Sequence, residues 1–163
     1  MLLTMDIGNT NINIGLFSGD ELTTSVRLAT ERQKTDDQYA MDFTNIFVMH
    51  KIKADDISGV VISSVVPEIT VHVKNAVEKL IGKNVIVLSP GVKTGLNILI
   101  DNPAQLGADL VAGAVGAIDT YKMPCVIVDM GTATTLSVLD KDGAFLGGVI
   151  AAHTVLPVIG VPI

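Results

Sequence analysis

The chain has 163 residues, 48% hydrophobic but only 4% aromatic and without Trp, which suits one ordinary domain or two small lobes with an aliphatic core between sheets and helices. A formal charge of −6, with Lys and Arg scattered, argues against nucleic-acid or anionic-membrane binding and for a small-molecule ligand. Cys125 is the only cysteine, so no internal disulfide can form. With no basic leader and no apolar run near the ~18 residues of a membrane helix, a cytoplasmic, reducing setting is expected.

LLTMDIGNTNINIGLF opens the chain, and its residues 2–7 and 12–17 read as strands joined by DIGNTN. That is a hairpin with a polar tip, in which Gly8 and Asn9 can take positive φ at little cost. LTTSVRLA, residues 22–29, completes a meander. ERQKTDD then leads into a helix capped by Thr35, with Asp36 and Asp37 as solvated acids in its first turn. Tyr39, Met41, Ile46 and Met49 are expected to pack in the core or along that helix. A buried strand at 59–65 ends before Pro67, and the helix TVHVKNAVEKLIG follows, stopped by Gly82. NVIVLSP is the next strand. DNPAQLGADLVAGAVGAIDTYK, residues 101–122, reads as one apolar, buried helix capped by Asp101 or Asn102, with Pro103 at its first position. Residues 125–150 restart the meander, with a turn at Asp129, a strand at 135–139, a turn at Asp142–Gly143 and a strand at 144–150. Strands followed by helices in this order indicate an α/β protein with a mixed sheet, its lobe boundary in the helix near 103–121.

One design occurs twice. CVIVDMGTATTLSVL, residues 125–139, repeats the plan of the N-terminal hairpin: apolar run, acid, glycine, hydroxyls, apolar run. Such a turn suits phosphate, because glycine lets backbone N–H groups approach the oxygens, side-chain amides and hydroxyls add donors, and the carboxylate holds a hydrated cation. Neither G-x-x-x-x-G-K-[ST] nor a strand-to-helix G-x-G-x-x-G is present, which disfavours a P-loop or dinucleotide-binding domain. Asp109, set among apolar residues, reads either as a carboxylate satisfying N–H groups at a helix start or as a general base beside a substrate hydroxyl. Cys125 is expected to be a small buried hydrophobe beside Pro124. His50 and His72 are expected on exposed helix faces, and without a second ligand at metal-binding spacing no zinc site is expected. The pairs Asp36–Asp37 and Asp55–Asp56 read as solvated helix starts.

In chain order, DIGNTNINIGLF, RLAT, SSVVP, PGVKTGL, DNP, LGAD and VDMGTATT resemble the motifs of type III pantothenate kinases, of the actin, sugar-kinase and heat-shock ATPase superfamily, over about residues 1–150. The resemblance implies a ribonuclease-H-like, actin-like ATPase fold: a full lobe over 1–118, the start of a second over 119–150, an atypical tail over 151–163, and ATP between the lobes. It implies ATP-dependent phosphorylation of the primary hydroxyl of pantothenate to 4'-phosphopantothenate, the first step of coenzyme A synthesis. Mg2+, a monovalent cation (K+ or NH4+) and a homodimer are implied with it. By position, Asp6, Ile7, Gly8 and Asn9, continuing through Thr10, Asn11, Ile12 and Asn13, form the first phosphate loop, with Asp6 facing the metal-bound phosphates. Gly131, Thr132 and Thr134 contact ATP from the second loop, and Asp129 holds the monovalent cation. Gly107, Ala108 and Asp109 contact pantothenate, with Asp109 as base. Ile100 and Leu110 replace the Tyr and Arg usual at the pantothenate end, which implies altered substrate affinity or identity; loss of an Arg paired with a carboxylate costs about a few kcal/mol.

The last sixteen residues, GVIAAHTVLPVIGVPI, resemble instead a core strand segment of 5-(carboxyamino)imidazole ribonucleotide mutase, with a join near 147–151. They lack that enzyme's catalytic Ser and His motifs, so no mutase activity is expected and His153 is not a catalytic candidate. A truncated or chimeric chain is expected there. The leading expectation is a pantothenate kinase; the alternative is a catalytically inactive nucleotide-binding or interaction fragment of this fold.

Overall fold

Every second residue of the first two strands is apolar, and the computed structural model, which describes residues 1–152, turns those residues to one face of a sheet. β1 (Leu2–Ile7) pairs antiparallel with β2 (Asn11–Ser18), and β2 with β3 (Glu21–Ala29). β4 (Gly59–Ser64) and β5 (Val85–Val87) join in parallel on the other side of β1, giving the order β3-β2-β1-β4-β5. Leu3, Met5, Ile7, Ile12, Ile14, Leu16, Val60 and Ile62 form a buried layer with side chains of α1 (Asp36–Met49) and α2 (Pro67–Ile81). Tyr39 and Phe43 of α1 are fully buried with stacked rings, and Ile69 and Val73 of α2 are fully buried beside the same sheet. Each such side chain contributes about 1.5–3 kcal/mol relative to exposure. Met41 and Met49, by contrast, lie on the exposed side of α1.

Both helix ends follow local chemistry. The Thr35 hydroxyl accepts from the Gln38 N–H while the Gln38 side chain accepts from the Thr35 N–H, a capping box. Gly82 closes α2 at φ 68°, which only glycine adopts without strain. α2 begins at Pro67, three residues before the expected start, because proline needs no N–H partner in the first turn. Asp36 and Asp37 are not simply solvated: Asp36 accepts from Asn75 Nδ2 at 2.9 Å and pairs with His72 Nδ1, and Lys79 reaches Asp37 at 2.6 Å. They tie the start of α1 to α2. Asp55 and Asp56 are exposed in a short 3-10 turn.

The segment expected as one helix over 101–122 is two pieces: a 3-10 turn at Pro103–Gln105 and α3 (Ala108–Thr120). Leu106, at ψ 125°, is extended and breaks the run. Only Ala114 and Ala117 of α3 are buried, so the helix is not the buried one its composition suggests; Ile118 is exposed. α3 crosses the division between two compact units, Met1–Thr94 with Asn102–Ala112, and Gly95–Asp101 with the chain from Gly113 onward.

In the second unit β6 (Cys125–Met130), β7 (Ala133–Leu139) and β8 (Phe145–Ala152) form an antiparallel meander. β7 starts two residues before the expected position and β8 one residue after. The main chain of 97–99 borders β8, with Leu99 N–H donating to Phe145 O and Phe145 N–H to Asn97 O, both at 2.8 Å. Ser137, Leu139, Ala144 and Phe145 are buried, whereas Cys125 is only half-buried. Register places Val126, Val128, Met130, Leu136, Val138 and Val149 on one face of the sheet, and all six are exposed. No helix among the described residues is long and apolar enough to cross a membrane. His153 and the tail resembling the mutase lie outside the described residues.

Candidate active site

β1 is flanked by an antiparallel strand on one side and a parallel one on the other. The ends of β1 and β4 therefore finish at the same edge, the place where open α/β sheets bind ligands. There Ile7 pairs with Ile12 and the tip between them is tight: the Gly8 N–H donates to Asn11 O at 2.9 Å. Thr30 staples this tip from the end of β3, its N–H donating to Thr10 O at 2.9 Å and its hydroxyl to Gly8 O at 2.7 Å. Neither Gly8 nor Asn9 takes positive φ, contrary to the sequence expectation. Space at Gly8 is tight instead, since a Cβ there would stand 3.3 Å from Asn11 O. Ile7 and Ile12 send their side chains into the core, so only their main chain borders the tip.

Asp6 is exposed and lies in a polar row across four strands, because register pairs it with Asn13 on β2 and Ser63 on β4, and Asn13 with Arg27 on β3. Paired residues share a face of the sheet. Arg27 Nε donates to Asn13 Oδ1 at 3.1 Å. Arg32, in the loop before α1, donates to Asn9 Oδ1 at 3.0 Å and to Glu68 Oε1 at 3.3 Å, joining the tip to the first turn of α2. With Arg32 53% and Glu68 62% exposed, this pair contributes at most about 1 kcal/mol. Ser64 and Thr70 share a hydroxyl hydrogen bond at 2.7 Å, and the Ser64 hydroxyl accepts from Val66 N–H. Ser63 is different: it is 6% exposed, and its Oγ is the one buried side-chain oxygen or nitrogen among the described residues without a partner. An orphan hydroxyl of this kind costs about 1–3 kcal/mol.

Asp109 lies half-buried in the first turn of α3. Its carboxylate turns back over Gly107, so closely that a Cβ on Gly107 would meet Oδ1 nearer than 3.0 Å. The Gly107 carbonyl accepts from Val111 N–H at 3.1 Å and thus already belongs to the helix. Ala108 and Leu110 flank the acid, both half-buried. Ile100 belongs to the other unit and is half-buried there.

The second turn, in its own unit, repeats the first one residue shorter. Asp129 pairs with Thr135 and Met130 with Thr134, and the Gly131 N–H donates to Ala133 O at 3.1 Å. Asp129, Gly131 and Thr132 are exposed and Thr134 half-buried. A Cβ on Gly131 would meet nothing nearer than 3.8 Å, so the steric demand felt at Gly8 is absent here.

The structure thus gathers Asp6, Gly8, Asn9, Thr10 and Asn13 at one hairpin, and Gly107, Ala108, Asp109 and Leu110 at one helix start. Reading the sequence missed Arg27, Arg32, Ser63 and Glu68, which join the first hairpin only through strand register and loop packing. RLAT and SSVVP contained two of them without indicating a partner.

The sequence matches the family described as type III pantothenate kinase over residues 2–154. Among solved structures it is similar to a reductive activator for a corrinoid, iron-sulfur protein, at TM-score 0.59 and 11% identity over 86% of this chain and 29% of that one. It is also similar to a protein described as an N-acetylglucosamine kinase from Porphyromonas gingivalis, at TM-score 0.52 and 12% identity over 98% and 50% of the two chains. A protein described as a 2-dehydro-3-deoxygalactonokinase from Sinorhizobium meliloti matches at TM-score 0.52 and 9% identity over 92% and 53%. At such identities the likeness establishes the fold alone, an actin-like ATPase fold of α/β class with a mixed sheet. The chain spans about half the length, or less, of these structures.

Proposed function

This chain belongs to the type III pantothenate kinase family, and from that premise we propose that it transfers the γ-phosphate of ATP to the primary hydroxyl of pantothenate. The observation that supports this most is the first hairpin, where an exposed carboxylate, a stapled tip and an Arg32–Asn9 contact meet at the end of β1. The donor set fits phosphate carrying a hydrated Mg2+: one carboxylate with amides and hydroxyls, and among the described residues no group of three His, Cys, Asp or Glu that would cage a bare ion. Mg2+ on the phosphates would supply the positive charge that offsets their own.

In this reading Asp6 holds the hydrated cation, the main-chain N–H groups of Gly8–Asn11 and the side chains of Asn9, Thr10 and Asn13 orient the phosphates, and Asp109 takes the proton of the substrate hydroxyl. That oxygen bonds to the γ-phosphorus as the bond to the β–γ bridging oxygen breaks, and ADP leaves. Gly131, Thr132 and Thr134 serve as further ATP contacts and Asp129 holds the monovalent cation, K+ or NH4+. Gly107, Ala108, Leu110 and Ile100 are assigned to the pantothenate end. The same reading makes the protein a homodimer in the cytoplasm.

The test is potassium- and ATP-dependent phosphorylation of pantothenate by the full chain, beside Asp109→Asn. Loss of the base should lower kcat by about 10²–10⁴-fold with an unchanged melting temperature, and equal rates would overturn the assignment of Asp109. A second reading, a non-catalytic nucleotide-binding or interaction fragment, draws on the six apolar side chains exposed on the second sheet. ATP binding by a folded chain without turnover would favour it.

A further inference from the structure

Ser63 stands apart from the other polar groups around the first hairpin. It occupies the penultimate position of β4, directly beside Asp6 of β1, and parallel register puts both side chains on the same face. Its immediate neighbour Ser64 is fully engaged with Thr70 and Val66. Ser63 is 6% exposed, yet its hydroxyl has no partner. A strand position flanked by Ile62 would ordinarily bury a hydrophobic residue at lower cost, and an orphan hydroxyl in a folded protein calls for a physical reason. The reason available at this place is the carboxylate next to it, on which the metal–phosphate reading rests.

We propose that the Ser63 hydroxyl is an additional oxygen ligand of the metal–phosphate group that Asp6 holds, donating to a phosphate oxygen or bonding to a water of the cation. The hydroxyl is left unpaired within the protein so that it is available when that group binds. This inference rests on the ATP reading given above, and it assigns a role to a residue on β4, outside the hairpin itself. It also accounts for the polar row: Ser63, Asp6, Asn13 and Arg27 lie side by side across four strands, and Ser63 is the member of it buried without a partner.

The experiment compares wild type, Ser63→Ala and Ser63→Thr as full chains, by thermal melting without ligand and by calorimetric titration with ATP, with and without Mg2+. Ser63→Ala should melt at or above the wild-type temperature, because it removes a desolvated hydroxyl that makes no bond. It should bind Mg·ATP about five-fold more weakly, the size of one ordinary hydrogen bond, and Ser63→Thr, which keeps the hydroxyl, should recover the affinity. A loss that persists without Mg2+ places the contact on phosphate, and one that vanishes places it on the cation's water; both sustain the proposal. A lower ligand-free melting temperature with unchanged affinity overturns it, since the hydroxyl would then serve the fold. A wild-type chain that is folded but binds no ATP overturns this proposal and the kinase reading together, whereas wild-type binding with an unaffected Ser63→Ala overturns this proposal alone.

Discussion

Gly107→Ala tests how strictly the start of α3 sets the position of Asp109. The added methyl would stand nearer than 3.0 Å to Asp109 Oδ1, and the obstacle is the tip of a short side chain, so the carboxylate must rotate away. Leaving its rotamer costs about 0.5–1.5 kcal/mol. Gly107 does not have positive φ, so alanine fits the backbone there and restricts the unfolded chain, which returns about 0.4–1 kcal/mol. The two effects nearly cancel, and the melting temperature should correspond to a change within about 1 kcal/mol. Catalysis does not share that compensation. A reacting group displaced by about 1 Å loses on the order of 10²-fold in rate, so under the proposed function kcat for pantothenate phosphorylation should fall about a hundredfold while the affinity for ATP, proposed to bind at the first hairpin, stays unchanged. Steady-state kinetics and thermal melting on the same preparation give both numbers. Full kcat in Gly107→Ala would refute the argument, because a base that can leave its place over Gly107 without loss is not held there for catalysis. A melting temperature that collapses would equally refute the energetic part.

Arg32→Ala removes the hydrogen bond to Asn9 and the pair with Glu68; the dissociation constant for Mg·ATP should rise about three- to ten-fold, the size of one ordinary solvent-exposed hydrogen bond, while stability, read by urea titration, changes by less than about 1 kcal/mol for so exposed a pair. Acid should loosen the tie between α1 and α2. The Asn75 amide, and after it His72, hold the Asp36 carboxyl below its ordinary value of 3.8. The folded chain therefore binds fewer protons than the unfolded one in the window below 3.8, and this contribution is present above that value and fades as pH falls through the lower folded value. Urea midpoints measured from pH 6 to pH 2.5 should drop over that window, and more shallowly in Asp36→Asn; parallel curves would refute the assignment.

The hairpin, the meander and the duplicated Asp-x-Gly turn were legible in the sequence because each depends on neighbours close along the chain: alternation of apolar residues, a polar tip, a Thr35 cap and a Gly82 stop. Short-range signals also misled. Pro67 reads locally as a strand terminator but is the first residue of α2, and the run 101–122 keeps helical composition through Leu106, where the backbone is extended. Residue type shows that Gly8 can take a left-handed backbone, but not that it avoids one, with Asn11 O only 3.3 Å from where its Cβ would stand.

By itself the sequence determined the class of the fold, the family, and the identity of the acids at the two hairpin turns and the helix start, since these follow from residue type and order. Only the tertiary structure decided which residues stand beside them. Ser63 lies fifty-seven positions from Asp6 and becomes its neighbour through the parallel register of β1 and β4. Arg32 reaches Asn9 and Glu68 through the packing of a loop against two elements. Asp36 finds His72 and Asn75 because two helices share one face of a sheet. Such partners are set by long-range pairing and core packing, whose energies depend on the whole assembled lobe and leave no local mark on the chain.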